Sequence, residues 1–127
     1  MHLNIHYLIP KFEEIKHFID QHQNLDILGL CETFLNDYFS DNELQLNNYQ
    51  LFRKDRKSHG GGLLLYVKSQ NPCLQRTDLE NDTLETIWLE MKLPKQKSFL
   101  VCYVYRPPSS SVTWNTEFEH SLEKGLD

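Results

Sequence analysis

Apolar positions along this chain fall into short runs separated by polar stretches, with a segment of helical period near each end. Phe12, Ile15, Phe18 and Ile19 share one face of a 3.6-residue period, and the pattern predicts a helix from Pro10 through Gln23. Pro10 suits its first turn, where the missing N–H would be unpaired in any case. Residues 25–31 form a brief apolar run with Gly29 inside it, too short for a second helix and typical of a strand covered on both faces. Residues 2–5 alternate and predict a short first strand. Residues 49–53, 63–68, 86–93 and 99–105 predict further strands, rich in aromatic, aliphatic and β-branched side chains. Polar punctuation separates them at 54–62, 69–84 and 94–98. Trp114, Phe118 and Leu122, spaced four apart, predict a closing helix over residues 114–124, with Gly125 just past its end.

A succession of strands with short connections, flanked by helices, predicts an α/β (α+β) fold in which a sheet packs against helices on one face. Residues 99–104 are apolar at both alternating positions, so that strand is expected to be central rather than at an edge. The pattern shows no repeat, linker or low-complexity tract.

With 127 residues the chain is the size of one domain or part of one. Its 39% hydrophobic and 12% aromatic content is that of a globular chain, and no stretch approaches the ~20 apolar residues of a membrane span. No membrane partner is expected. The N-terminal MHLNIHYLIPKFEEIK lacks a basic leader and a long apolar core, so a nuclear or cytoplasmic location is expected rather than secretion. Cys31, Cys73 and Cys102 show no CxxC spacing and read as reduced thiols, Cys31 and Cys102 lying in apolar runs. A net charge of −5 argues against a generally basic nucleic-acid coat, although a local patch can still bind phosphates.

Two stretches carry candidate chemistry: residues 26–35, where an apolar run ends at Glu32, and residues 98–110, where another ends at Tyr105, Arg106 and two prolines. Open α/β sheets bind ligands at the carboxyl ends of their strands. A carboxylate such as Glu32 there suits a hard divalent cation; the alternative is a surface carboxylate capping the next turn. Asn4, in the first apolar piece, could orient a carboxylate or tie down neighbouring backbone. The Tyr105 phenol could donate to a phosphate oxygen or serve packing, and Pro107 and Pro108 enforce an extended exit. Arg53, Lys54, Arg56 and Lys57 around Asp55 form the one concentrated basic cluster, a phosphate clamp or a solvated turn. His59-Gly60-Gly61-Gly62 matches the oxyanion loop of some lipases, but the GxSxG elbow that such chemistry needs is missing, and the glycines read as a turn with positive φ. His2, His6, His17, His22 and His120 follow no metal-ligand pattern.

Leu3-Asn4-Ile5-His6 and segments 26–35, 53–56, 60–67, 85–90 and 105–109 occur in the order and approximate spacing of a known family. The chain resembles the endonuclease domain of non-LTR retrotransposons, of Jockey-like type. That domain lies within the endonuclease/exonuclease/phosphatase superfamily, which also holds apurinic endonucleases and deoxyribonuclease I. The resemblance implies a four-layer α/β sandwich, here roughly its first half, with residues 1–127 as the N-terminal part of a single domain. It implies hydrolysis of a DNA phosphodiester with Mg2+, or Mn2+ in its place. Glu32 would bind the metal, Asn4 would help position the scissile phosphate and Tyr105 would contact it, while Arg53 and Arg56 match an R-x-D-R segment to which we assign phosphate contact. The nick would prime a reverse transcriptase expected downstream in the same element.

The family pattern is incomplete here. An Asp-x-Asn pair and a terminal Asp-His pair are expected after Tyr105 and nothing matches them, so this chain alone is expected to be inactive. At Tyr7 the family usually carries a small hydroxyl residue. Two alternatives stay open: a non-catalytic phosphate- or protein-binding remnant, and a phosphatase of the same fold. Half a sandwich would also expose a sheet face, which predicts poor solubility or dimerisation.

Overall fold

The short strand β1 (His2–Asn4) lies parallel to β2 (Ile27–Cys31), with Asn4 opposite Cys31, and the helix α1 (Phe12–Gln21) connects them. The computed structural model describes residues 1–57, 60–108 and 110–126. These form a mixed α/β structure of two sheets and three helices, divided into two compact units, Met1–Asn71 and Pro72–Asp127.

In the first unit, β3 (Tyr49–Lys54) and β4 (Leu63–Lys68) complete a four-stranded sheet of order β1-β2-β4-β3, in which β4 runs antiparallel to both neighbours. Ile15 and Ile19 of α1 pack with Leu28 and Leu30 of β2 and Leu64 and Tyr66 of β4. Full burial of each such side chain is worth about 2 kcal/mol. Cys31, Leu63, Leu65 and Val67, at the alternate positions of β2 and β4, are buried too. The expectation of cover on both faces therefore agrees with the structure for β2.

Some boundaries differ from the sequence pattern. Pro10 falls in a separate 3-10 turn, Ile9–Lys11, and α1 begins only at Phe12 because Lys11 leaves the helical region (φ −108, ψ 0). Its C-terminus comes at Gln21, where the His22 N–H turns back to the Ile19 carbonyl at 3.0 Å. A one-turn helix α2 (Asp41–Leu44) precedes β3, and its Leu44 carbonyl accepts a 2.6 Å hydrogen bond from the buried Tyr66 hydroxyl.

The second unit is an antiparallel sheet of order β5-β6-β7, from β5 (Cys73–Gln75), β6 (Glu85–Met91) and β7 (Phe99–Tyr105), with helix α3 (Val112–Leu126). Two expectations are corrected here. The strand β7 was expected to be central, yet among the described residues it pairs with β6 alone, and none of its side chains is fully buried. Apolar residues at both parities show that a strand is hydrophobic, not where it stands in the sheet order. Gly125 was expected to stop the last helix but lies inside it. A Cβ there would come within 3.1 Å of the Trp88 ring, so close helix-to-strand approach explains the glycine.

Ser121, the buried residue of α3, donates to the Leu79 carbonyl at 2.9 Å and accepts from Trp88 Nε1 at 3.1 Å. Arg106 lies 5.4 Å from the Trp114 ring and its Nε donates to Ser110 Oγ, which ties the exit from β7 to the start of α3. Cys31, Cys73 and Cys102 are not in disulfides. Burial, and secondarily the Glu80 carboxylate, pushes Cys102 up to about 12. No helix among the described residues is long and apolar enough to cross a membrane.

Candidate functional site

The parallel pairing of β1 with β2 continues past the strand ends, so the two following loops leave the sheet together. Ile5 N–H donates to Cys31 O at 3.0 Å, Tyr7 N–H to Glu32 O at 2.9 Å and Leu8 N–H to Thr33 O at 3.0 Å. Lys11 Nζ closes the first loop from below, donating to the carbonyls of Ile5 (2.6 Å) and His6 (2.9 Å). Sheet pairing thereby brings Asn4 and Glu32 onto adjoining chain segments at the carboxyl end of the strand pair. Asn4 is exposed there, and the Glu32 side chain is 23% accessible. His6 Nδ1 lies 3.2 Å from Glu32 Oε2.

The backbone in these two loops is strained. His6, Tyr7, Glu32 and Phe34 all have positive φ, between 42° and 77°. Each non-glycine residue in that region costs of order 1 kcal/mol, and such strain concentrates at functional sites. A third loop supports them: Gly61 O accepts from Phe34 N–H at 2.8 Å and Gly62 O from Thr33 N–H at 3.3 Å. The close approach needs glycine, because a Cβ on Gly62 (φ +99) would sit 2.6 Å from Thr33 Oγ1, and one on Gly61 (φ +64) would strike the Arg56 guanidinium. The expected positive-φ turn is present in Gly60–Gly62; its neighbour His59 lies outside the described residues, as does Ser109 of the segment around Tyr105.

The two arginines of the R-x-D-R segment are placed differently. Arg53 is only 14% accessible, and its guanidinium donates to Phe39 O (2.6 Å), Asn36 O (3.0 Å), Asp41 Oδ1 (3.1 Å) and both oxygens of Asp55 (2.6 and 3.2 Å). The two aspartates raise its pKa against the opposing effect of burial. With these donors engaged by protein acceptors, Arg53 clamps the loop between β2 and β3. Arg56, together with Lys57, lines a cleft of about 460 Å3 whose aromatic walls include Tyr7, Phe34, Tyr38 and Phe39. Tyr105 ends β7 opposite Glu85 and belongs to the second unit.

Among the described residues no group of three or more His, Cys, Asp or Glu is arranged to hold a metal ion. An expected Mg2+ would have Glu32 as its protein carboxylate. That fits a cation which commonly takes one or two carboxylates and completes its shell with water and substrate phosphate oxygens. Sequence reasoning missed His6, Phe34 and Tyr38. No family model matches the chain, and no curated protein matches its sequence.

Proposed function

We propose that this chain is the N-terminal part of a metal-dependent DNA endonuclease of the endonuclease/exonuclease/phosphatase superfamily, of the kind carried by non-LTR retrotransposons. The whole domain would be a four-layer α/β sandwich of the deoxyribonuclease I type. The observation that carries the reading is the Glu32 carboxylate at the carboxyl end of a parallel strand pair, on a strained loop beside Asn4. Glu32 would hold Mg2+, which when bound stabilises negative charge on the phosphoryl and leaving oxygens. Asn4 orients the phosphate and the carboxylate, and Arg56 offers charge to the DNA backbone. The base that activates water belongs to the Asp-x-Asn and Asp-His elements expected after residue 127. DNA is the substrate, and a reverse transcriptase in the same element is the partner that uses the nick.

The test extends the chain with the coding sequence that follows it and supplies supercoiled plasmid with Mg2+. Nicking is expected, and Glu32→Gln should slow it about a hundredfold or more, the size of an effect worth several kcal/mol in the transition state. Nicking left intact by Glu32→Gln would overturn the reading. A phosphate-binding module without catalysis is the second reading, favoured by the placement of Arg56 and Lys57 on the cleft.

A further inference from the structure

We infer that the cleft between the loops after β1, β2 and β3 is a stacking site for an unpaired strand of nucleic acid, with bases on its tyrosines and phosphates on Arg56 and Lys57. The inference rests on the proposed function in taking nucleic acid as the ligand, but it needs neither metal nor Glu32. Three features of the first unit carry it.

The first is chemistry. The cleft combines aromatic faces with two cations, and among its described lining residues none is acidic, in a chain with 18 acidic residues and a net charge of −5. Sequence-tolerant binding of single strands uses this combination: a cationic track for the backbone and aromatic rings for successive bases. A volume of about 460 Å3 falls within the range of ligand clefts.

The second is exposure. Tyr38 is 85% accessible and Tyr7 45%. The two tyrosines are backed by other rings, Tyr38 edge-on to Phe39 at 5.4 Å and Tyr7 tilted against Phe34 at 5.8 Å.

The third is preorganisation. Arg53 grips the carbonyls of Asn36 and Phe39 on either side of Tyr38, and the Tyr38 N–H is held by Asn36 Oδ1 at 2.9 Å. An exposed aromatic ring on a clamped loop loses little conformational entropy when a base stacks on it. This arrangement favours an unstacked strand over a duplex, whose base faces are covered.

The experiment uses the chain as it is, in low salt without divalent metal, with a fluorescent oligothymidylate read by anisotropy. Binding is expected, about tenfold tighter than to an oligomer of equal charge with abasic sites in place of bases. Tyr38→Ala, at a position too exposed to threaten the fold, should weaken binding by a similar factor. Lys57→Ala should lower the slope of log affinity against log salt by about one. Because binding is read without divalent metal, where no nicking is expected, failure here and failure of the nuclease reading remain distinct. Equal affinity for the abasic oligomer or for duplex would overturn the inference in favour of simple charge attraction. Competition by thymidine monophosphate as effective as that by the oligomer would overturn it in favour of a nucleotide pocket. Absence of binding to the oligothymidylate would overturn it outright.

Discussion

In the first unit five described non-glycine residues have positive φ, and four of them, His6, Tyr7, Glu32 and Phe34, crowd two adjoining loops, whereas in the second unit Lys95 alone among the described residues has one, in the turn between β6 and β7. The first unit fixes its irregular segments with charge: Arg53 meets two aspartates and two carbonyls, and Lys11 bonds two more carbonyls. The second uses charge as well, Arg76 meeting both oxygens of Asp78 (2.9 and 2.8 Å) and Glu90 (2.9 Å), but it sets that charge beside a regular hairpin ladder and a serine hydroxyl shared between Trp88 and Leu79. Strained backbone persists where strong local interactions over-determine it. The contrast therefore marks the first unit as the one whose loops carry the backbone strain.

The largest expected effect breaks that contrast at its anchor. Arg53→Ala takes the guanidinium away from Asp55 and from the Phe39 carbonyl, and should destabilise the first unit by about 3 kcal/mol or more. Amide exchange in β2 and β4 during a urea titration would read it; a loss under about 1 kcal/mol would mean that the clamp is incidental.

Alkali is expected to separate the units next. Burial is the main cause that raises the Tyr66 phenol above its ordinary value of 10.0, with Arg53 opposing, and Tyr49 is raised by burial and then by Asp26. The folded state then holds protons that the unfolded state releases. The phenols' contribution is whole below pH 10 and falls as pH rises beyond it, by up to about 1.4 kcal/mol per pH unit per tyrosine. Cys102, raised by burial from its ordinary 9.0, starts the same loss in the second unit already above pH 9, and both tryptophans, Trp88 and Trp114, lie there, so tryptophan fluorescence should change before protection of the β4 amides weakens. Simultaneous change would contradict independent stabilisation.

The smallest effect sharpens the comparison from the other side. Ser121→Ala leaves the Leu79 carbonyl and Trp88 Nε1 without their partner, which should cost the second unit about 1 kcal/mol by tryptophan-monitored urea unfolding. A cost approaching that of Arg53→Ala would show that neutral pins and charged clamps matter equally here.

Local pattern was a reliable guide where an element is set by its own side chains. The apolar period of Phe12, Ile15, Phe18 and Ile19 foretold α1, and the continuous runs foretold β2 and β4, β2 with cover on both faces. The end of β2 at Cys31, with Glu32 next, was legible for the same reason. Three-residue β5 and one-turn α2 were not, because neither is long enough to show a period. That Asn4 and Glu32 adjoin, that Arg53 turns inward to a loop while Arg56 lines the cleft, and that β7 stands at a sheet edge are decided by pairing between segments distant in the chain. Hydrophobic period encodes which residues leave water, an attribute of each segment alone. Which segment lies beside which is settled only when the sheets assemble, and only then do scattered polar residues acquire the neighbours that give them a role.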